Sequence, residues 1–242
     1  MIFFAAKEKT EDLFDQAMSF MEKKQPKNAI ALFKKIIKQD PKNIEALYNQ
    51  GLALNLLKKY QDAVTCFDEV LGIDPKYVMA INNRGISLAE LGNTDDALEY
   101  YNKAIEIDPK CAAAYYNKGV LYDKLLKHEE AIESLEEALK CDSGNVNTAF
   151  YRGIVLGKMK KHEEALNCFE NICRKHPKHM DAFFHKGMEL AEIGKHDKAL
   201  AIFDKLLQIH EGNVNVIYAM ARSNAAIANI GRALYLLELA MK

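Results

Sequence analysis

Cys168, Cys173, His176 and His179 fall within a span of 12 residues and are of the types that hold zinc. A zinc site needs such ligands at spacings that let them converge, and these match no common finger pattern, so no metal is expected here. His128, His162 and His196 recur every 34 residues, where Tyr60 and Thr94 stand earlier in the chain. Side chains placed one to each copy of so long an interval are too far apart to share an ion, and packing in a recurrent turn accounts for them better. For catalysis the sequence offers no phosphate-binding glycine loop, no strand to carry a nucleophile elbow, and no Cys–His pair set by anything but the interval. No cofactor and no enzyme activity are expected.

The interval itself carries the information. From Val78 to Cys111 the chain places Ile81, Gly85 and Leu88, then Ala97, Tyr101 and Ala104, at helical spacing, which predicts two short amphipathic helices. Between them Gly92 can end the first helix and Thr94 can cap the second, with Asp95 and Asp96 at the positive end of its dipole. Asp108-Pro109 closes the unit, because proline has no amide hydrogen and disfavours a helical residue before it. Steps of 34 residues from Gly85 meet Gly51, Gly119, Gly153 and Gly187, with Ala17 and Ala221 at the ends. The same step from Ala97 meets alanine every time, and from Tyr101 it meets Phe33, Phe67, Phe169 and Phe203, with Leu135 and Leu237. Glycine inside a helix costs about 0.5–1 kcal/mol against alanine, so five in register imply a steric need, read here as close approach of two helix backbones.

A small residue, an alanine twelve places on, an aromatic four beyond it and a closing proline, all at this period, resemble the tetratricopeptide repeat. The resemblance covers residues 10–242 as repeats at about 10–43, 44–77, 78–111, 112–145, 146–179, 180–213 and 214–242, after an N-terminal extension of residues 1–9. It implies an all-α fold, a right-handed α-solenoid or superhelix of antiparallel helix hairpins, whose first helices line a concave groove. Carried onto this chain, the fifth and sixth places of the first helices give the candidate peptide-binding residues Tyr48, Asn49, Asn83, Tyr116, Asn117, Phe150, Tyr151, Phe184 and His185. Asparagine both donates and accepts, so Asn49, Asn83 and Asn117 can pair with the backbone of an extended peptide while the aromatics cover its side chains. The same Tyr-Asn pairs can equally serve the repeat framework. The Lys, Asn and Arg clamp that some relatives use for a terminal carboxylate is absent, since the places around Asn83 hold Tyr48, Leu52, Ala113 and Asn117. Where the family often has leucine, this chain has Arg84, Lys118, Arg152 and Lys186, expected to lie over the hairpin interfaces and pair with neighbouring acids.

Charge and composition exclude other classes. Lys plus Arg number 33 against 34 Asp plus Glu, which leaves no basic footprint for nucleic acid. Residues 1–6, MIFFAA, are too short to span a membrane, and five scattered cysteines suit a reduced, cytoplasmic protein better than a disulfide framework. In the last repeat, Tyr235 and Leu239 stand where Glu99 and Lys103, or Glu133 and Glu137, stand earlier. Apolar residues at solvent places imply that this end meets another chain, as in a homo-oligomer, or a downstream segment of its own. The expected function is a protein–protein interaction scaffold binding an extended or helical segment of a partner in its groove. The alternatives are a self-assembly module acting through Tyr235 and Leu239, and a regulatory module for a separate enzyme.

Overall fold

The computed structural model describes residues 2–241, with side chains from Thr10 onward. Among these residues it is all helical, with α1 (Ile2–Glu22), α2 (Pro26–Gln39), α3 (Ile44–Leu56), α4 (Tyr60–Ile73), α5 (Val78–Glu90), α6 (Thr94–Ile107), α7 (Ala112–Lys124), α8 (His128–Cys141), α9 (Val146–Lys158), α10 (His162–Lys175), α11 (Met180–Glu192), α12 (His196–Ile209), α13 (Val214–Ala226) and α14 (Ile230–Ala240). Within each unit consecutive helices pair as antiparallel hairpins of the α-solenoid class, α1 with α2, α3 with α4, α5 with α6, α9 with α10, α11 with α12 and α13 with α14, in register with the 34-residue interval. Residues 2–9 continue α1 backwards from the first repeat. The chain divides into two compact units, Met1–Leu121 and Tyr122–Lys242, the boundary falling inside α7.

Five hairpins are built around one aromatic ring, while the fourth and seventh have Leu135 and Leu237 at that place. A methyl group added at Gly153 would sit 2.7 Å from the Phe169 ring, and at Gly85 it would sit 2.7 Å from that of Tyr101. What needs the room is therefore the edge of the partner helix's ring, sixteen residues on, rather than a second backbone. Phe67, Phe169 and Phe203 are fully buried in such a notch, Phe33 is fully buried with Ala17 at the glycine's place, and the returning alanines Ala29, Ala63, Ala165 and Ala199 let the helices close on the ring.

Several first helices start with a side-chain cap. Asn43, Asn145 and Asn213 accept the backbone N–H three residues on, at 2.9, 3.0 and 3.3 Å, and His179 Nδ1 accepts that of Ala182 at 3.2 Å. The second helices differ. Thr94 does not cap α6; it is the first helical residue, and the N-cap Asn93 makes no side-chain cap bond. Gly92 has φ +87°, as a helix-ending glycine should, but the same turn place holds Lys24, Lys58, Leu126, Lys160 and Ala228 at φ 55–60°. The tight turn, with Asn93 N–H on Leu88 C=O and Lys127 N–H on Tyr122 C=O, forces the left-handed conformation whatever residue stands there. A left-handed non-glycine residue costs about 1–2 kcal/mol. Leu126 is 78% exposed and loses no core contact on truncation. Leu126→Gly is therefore expected to raise stability by up to about 1 kcal/mol, net of glycine's chain entropy, and Gly92→Leu to lower it. Urea midpoints that move the other way would refute a strained turn.

Candidate functional site

In the first unit the predicted amides form a ladder between successive first helices. Asn83 Nδ2 donates to the Tyr48 hydroxyl at 3.0 Å and to the Met79 carbonyl at 2.8 Å. One repeat on, Asn117 Nδ2 donates to Asn82 Oδ1 at 2.9 Å, and Asn49 Nδ2 donates to the Glu45 carbonyl of its own helix at 2.8 Å. Each of these bonds uses the amide's N–H side. Among the described residues no hydrogen bond reaches Oδ1 of Asn49, Asn83 or Asn117, and all three are partly exposed. Tyr48 is buried, its ring 6.0 Å from Phe67 and 5.4 Å from Tyr77; burial and then Tyr77 push its hydroxyl up to about 12, so it stays protonated. Tyr116 is half-buried, which also raises its hydroxyl.

The second unit uses the same places differently. Tyr151 donates to Asp123 Oδ2 at 2.6 Å, Lys158 Nζ reaches the same oxygen at 2.6 Å, and His128 Nδ1 lies 3.1 Å from Oδ1. Asp123 is only 4% exposed. Burial alone would raise its carboxyl, but the bonds from Lys158 and Tyr151 outweigh that and hold it below the usual carboxylate range. A second buried acid, Glu189, meets His162 Nδ1 at 2.7 Å, and here burial prevails over the histidine and pushes the carboxyl up. Gly157 makes the room, since a methyl group there would lie 2.7 Å from Glu189 Oε1. Phe150 packs against Phe169, His179 and His185, and Phe184 against His185 and Phe203, leaving all three predicted residues half-buried. Burial lowers the pKa of His185, so it is a neutral imidazole at pH 7.

Sequence reasoning treated the turn histidines as packing and missed the acids that two of them face. The signal was a departure from the repeat: Glu189 stands where Ala53, Ser87, Leu121, Val155 and Ser223 stand in other copies. The basic ladder does pair across hairpin interfaces. Arg84 meets Asp68 at 2.6 Å, Arg152 meets Glu136 at 2.7 Å, Lys186 meets Glu170 at 3.1 Å, and Lys118 donates to Asn102 at 2.8 Å. The cysteine–histidine cluster disperses: Cys168 and Cys173 are buried in the hairpin core, His176 is exposed, and His179 caps α11. Tyr235 and Leu239 are 53% and 40% exposed on α14. Among the described residues no helix is long and apolar enough to cross a membrane.

Family models described as "Tetratricopeptide repeat" match residues 82–146 and 152–214, residues 42–110, and residues 13–43. No curated protein matches the chain. Among solved structures, YrrB, "a TPR protein with an unusual peptide-binding site", is 27% identical with a TM-score of 0.63, over 72% of this chain and 90% of that one. MamA from Desulfovibrio magneticus is 26% identical with a TM-score of 0.59, over 71% and 97%. A tetratricopeptide repeat protein from Parabacteroides merdae covers 97% of this chain and 100% of its own, with a TM-score of 0.68, at 21% identity, which speaks for the fold alone.

The Asp123 node has a pH signature. A depressed folded-state pKa adds stability that is complete above the unfolded value of about 3.9 and is lost as pH falls through the folded value. Asp123→Asn should cost about 1–3 kcal/mol at pH 7, with the gap to the parent closing as pH is taken below about 4. Paired urea titrations at pH 7 and pH 3 measure this; a gap of constant size would refute the node.

Proposed function

The chain belongs to the tetratricopeptide-repeat family, and from that premise we propose that it is a protein–protein interaction module whose first unit holds an extended segment of a partner on the face of its first helices. Repeats of this family mediate protein–protein interaction. The observation that carries the finer reading is the amide ladder. Its N–H groups are engaged with Tyr48, Asn82 and helix carbonyls, which fixes the side chains, while the oxygens of Asn49, Asn83 and Asn117 remain as acceptors at equivalent places of successive repeats. A row of fixed acceptors suits the backbone N–H groups of an extended chain, which a helical ligand keeps for itself. The similarity to YrrB, itself described as having a peptide-binding site, supports the same class of ligand. Taken by itself, the second unit has in Phe150, Tyr151, Phe184 and His185 an aromatic face of its own, suited to apolar side chains of a ligand.

A second reading attaches to the last repeat, where the exposure of Tyr235 and Leu239 favours self-association.

Peptides selected from a display library on the parent protein supply ligands for one experiment on both readings. Asn83→Ala with Asn117→Ala should weaken them at least about tenfold, as loss of two oriented amides predicts, with helical content and oligomeric state unchanged. Tyr235→Glu with Leu239→Glu should leave peptide binding alone and reduce any oligomer seen by light scattering. Peptides that bind the double-alanine variant as well as the parent would remove the amide ladder from the site.

A further inference from the structure

Two of the three turn histidines set Nδ1 against a buried acid, and the acid comes from a different place each time. His128 Nδ1 lies 3.1 Å from Asp123 Oδ1, five places back on the first helix of the same repeat. His162 Nδ1 lies 2.7 Å from Glu189 Oε2, 27 places on in the first helix of the next repeat. Each histidine thus uses one of two places and finds no acid at the other: Val155 stands 27 places after His128, and Gly157 stands five before His162.

His196 finds an acid at neither. Ala191 stands five places before it and Ser223 stands 27 after it, so both places that could bring a carboxylate hold small side chains. A pocket of about 160 Å³ lies here between α11, α12 and α13, lined by Ala191, His196 and Ser223. Among the described residues, His196 Nδ1 and Ser223 Oγ are buried without a hydrogen-bond partner, and Ser223 is only 1% exposed. Polar groups left so are costly and uncommon in folded proteins. Arg222 and Glu192 line the same pocket as an exposed pair, Arg222 Nη2 donating to Glu192 Oε1 at 2.9 Å. Their charges offset one another, and the guanidinium has further N–H groups beyond the one used on Glu192.

We propose that this pocket binds the carboxylate of a ligand, either a short-chain organic acid or the glutamate side chain of a bound peptide. The His162–Glu189 pair is the template: His196, with its proton on Nδ1, donates to one oxygen, and the Ser223 hydroxyl donates to the other. A carboxylate answers both donors at once, which a single neutral acceptor does less well. Neither His196 nor Ser223 falls at a place of the terminal-carboxylate clamp that some relatives use, and none of the predicted peptide-binding residues lines the pocket.

The test follows the histidine rings of the full chain by 15N NMR while sodium acetate is added at constant ionic strength, with sodium chloride and acetamide as controls. The His196 signal, identified by its loss in His196→Gln, should shift saturably in about the millimolar range, as a ligand of so few atoms allows, and neither control should move it. Ser223→Ala should weaken acetate at least about fivefold. Glu189→Ser tests for a gain, since it clears the place beside His162; acetate should then cause a second saturable shift that the parent lacks, which misfolding cannot produce. Tighter binding of N-acetylglutamate amide than of propionate would put the carboxylate on a peptide, and the reverse order would put it on a free acid. The proposal fails if acetamide or chloride moves His196 as acetate does, if the shift does not saturate, or if Ser223→Ala binds acetate as the parent does. It fails equally if Glu189→Ser keeps its helical content and gains no second shift.

Discussion

A hairpin of two short helices has one face too many: it can close around a single ring, but the outer side of its second helix stays apolar until another helix covers it. That unmet face governs the structure. Within the hairpin, the ring of Phe67, Tyr101, Phe169 or Phe203 sits opposite a glycine whose missing Cβ provides the space. Between hairpins, pairs such as Ile30 and Ile37 on α2 pack against the cluster around Leu47 and Phe67, so each repeat is completed only by its successor. Stability then depends on nearest-neighbour contacts, and an alteration in one repeat is felt first by the next.

Electrostatics follows the same neighbour-to-neighbour rule. Arg84, Arg152 and Lys186 each cross an interface to an acid sixteen residues back, with stems laid over apolar ground; the Arg84 guanidinium also stands 4.1 Å from the centre of the Tyr100 ring. Partly exposed pairs of this kind add little energy, but they fix register, since a one-residue slip would set the base against the wrong side chain. The two buried carboxylates are different in degree. Asp123 has an ammonium, a phenol and an imidazole within 3.1 Å and keeps its charge, whereas Glu189 has one imidazole and is the easier of the two to protonate. Their opposite displacements come from the number of partners rather than from burial, which both share.

Periodicity made the hairpins legible in the sequence because helix pairing is dictated by side chains that recur: small, small, aromatic, proline. The basic ladder was legible for the same reason. What escaped was anything set by the backbone or by a single copy. Leu126 and Ala228 take a left-handed turn that nothing in their side chains announces, because the turn's hydrogen bonds impose it on the whole family of positions. The place of Gly85 was visible but its reason was not: sequence spacing cannot tell a neighbouring backbone from the edge of a neighbouring ring. Glu189 showed only as an acid at a place of small and apolar residues, and its partner His162 lies 27 positions away on another helix, so the pair existed only once the hairpins were stacked. The amide ladder was half legible. Asn83 and Asn117 were expected to present both donor and acceptor, whereas neighbouring repeats have taken up their N–H groups.

That division of the amides bears on recognition. An asparagine held by its own N–H bonds presents an oxygen in a fixed direction and has already lost the rotamer freedom that a ligand would otherwise have to restrict, so little ordering cost remains for binding.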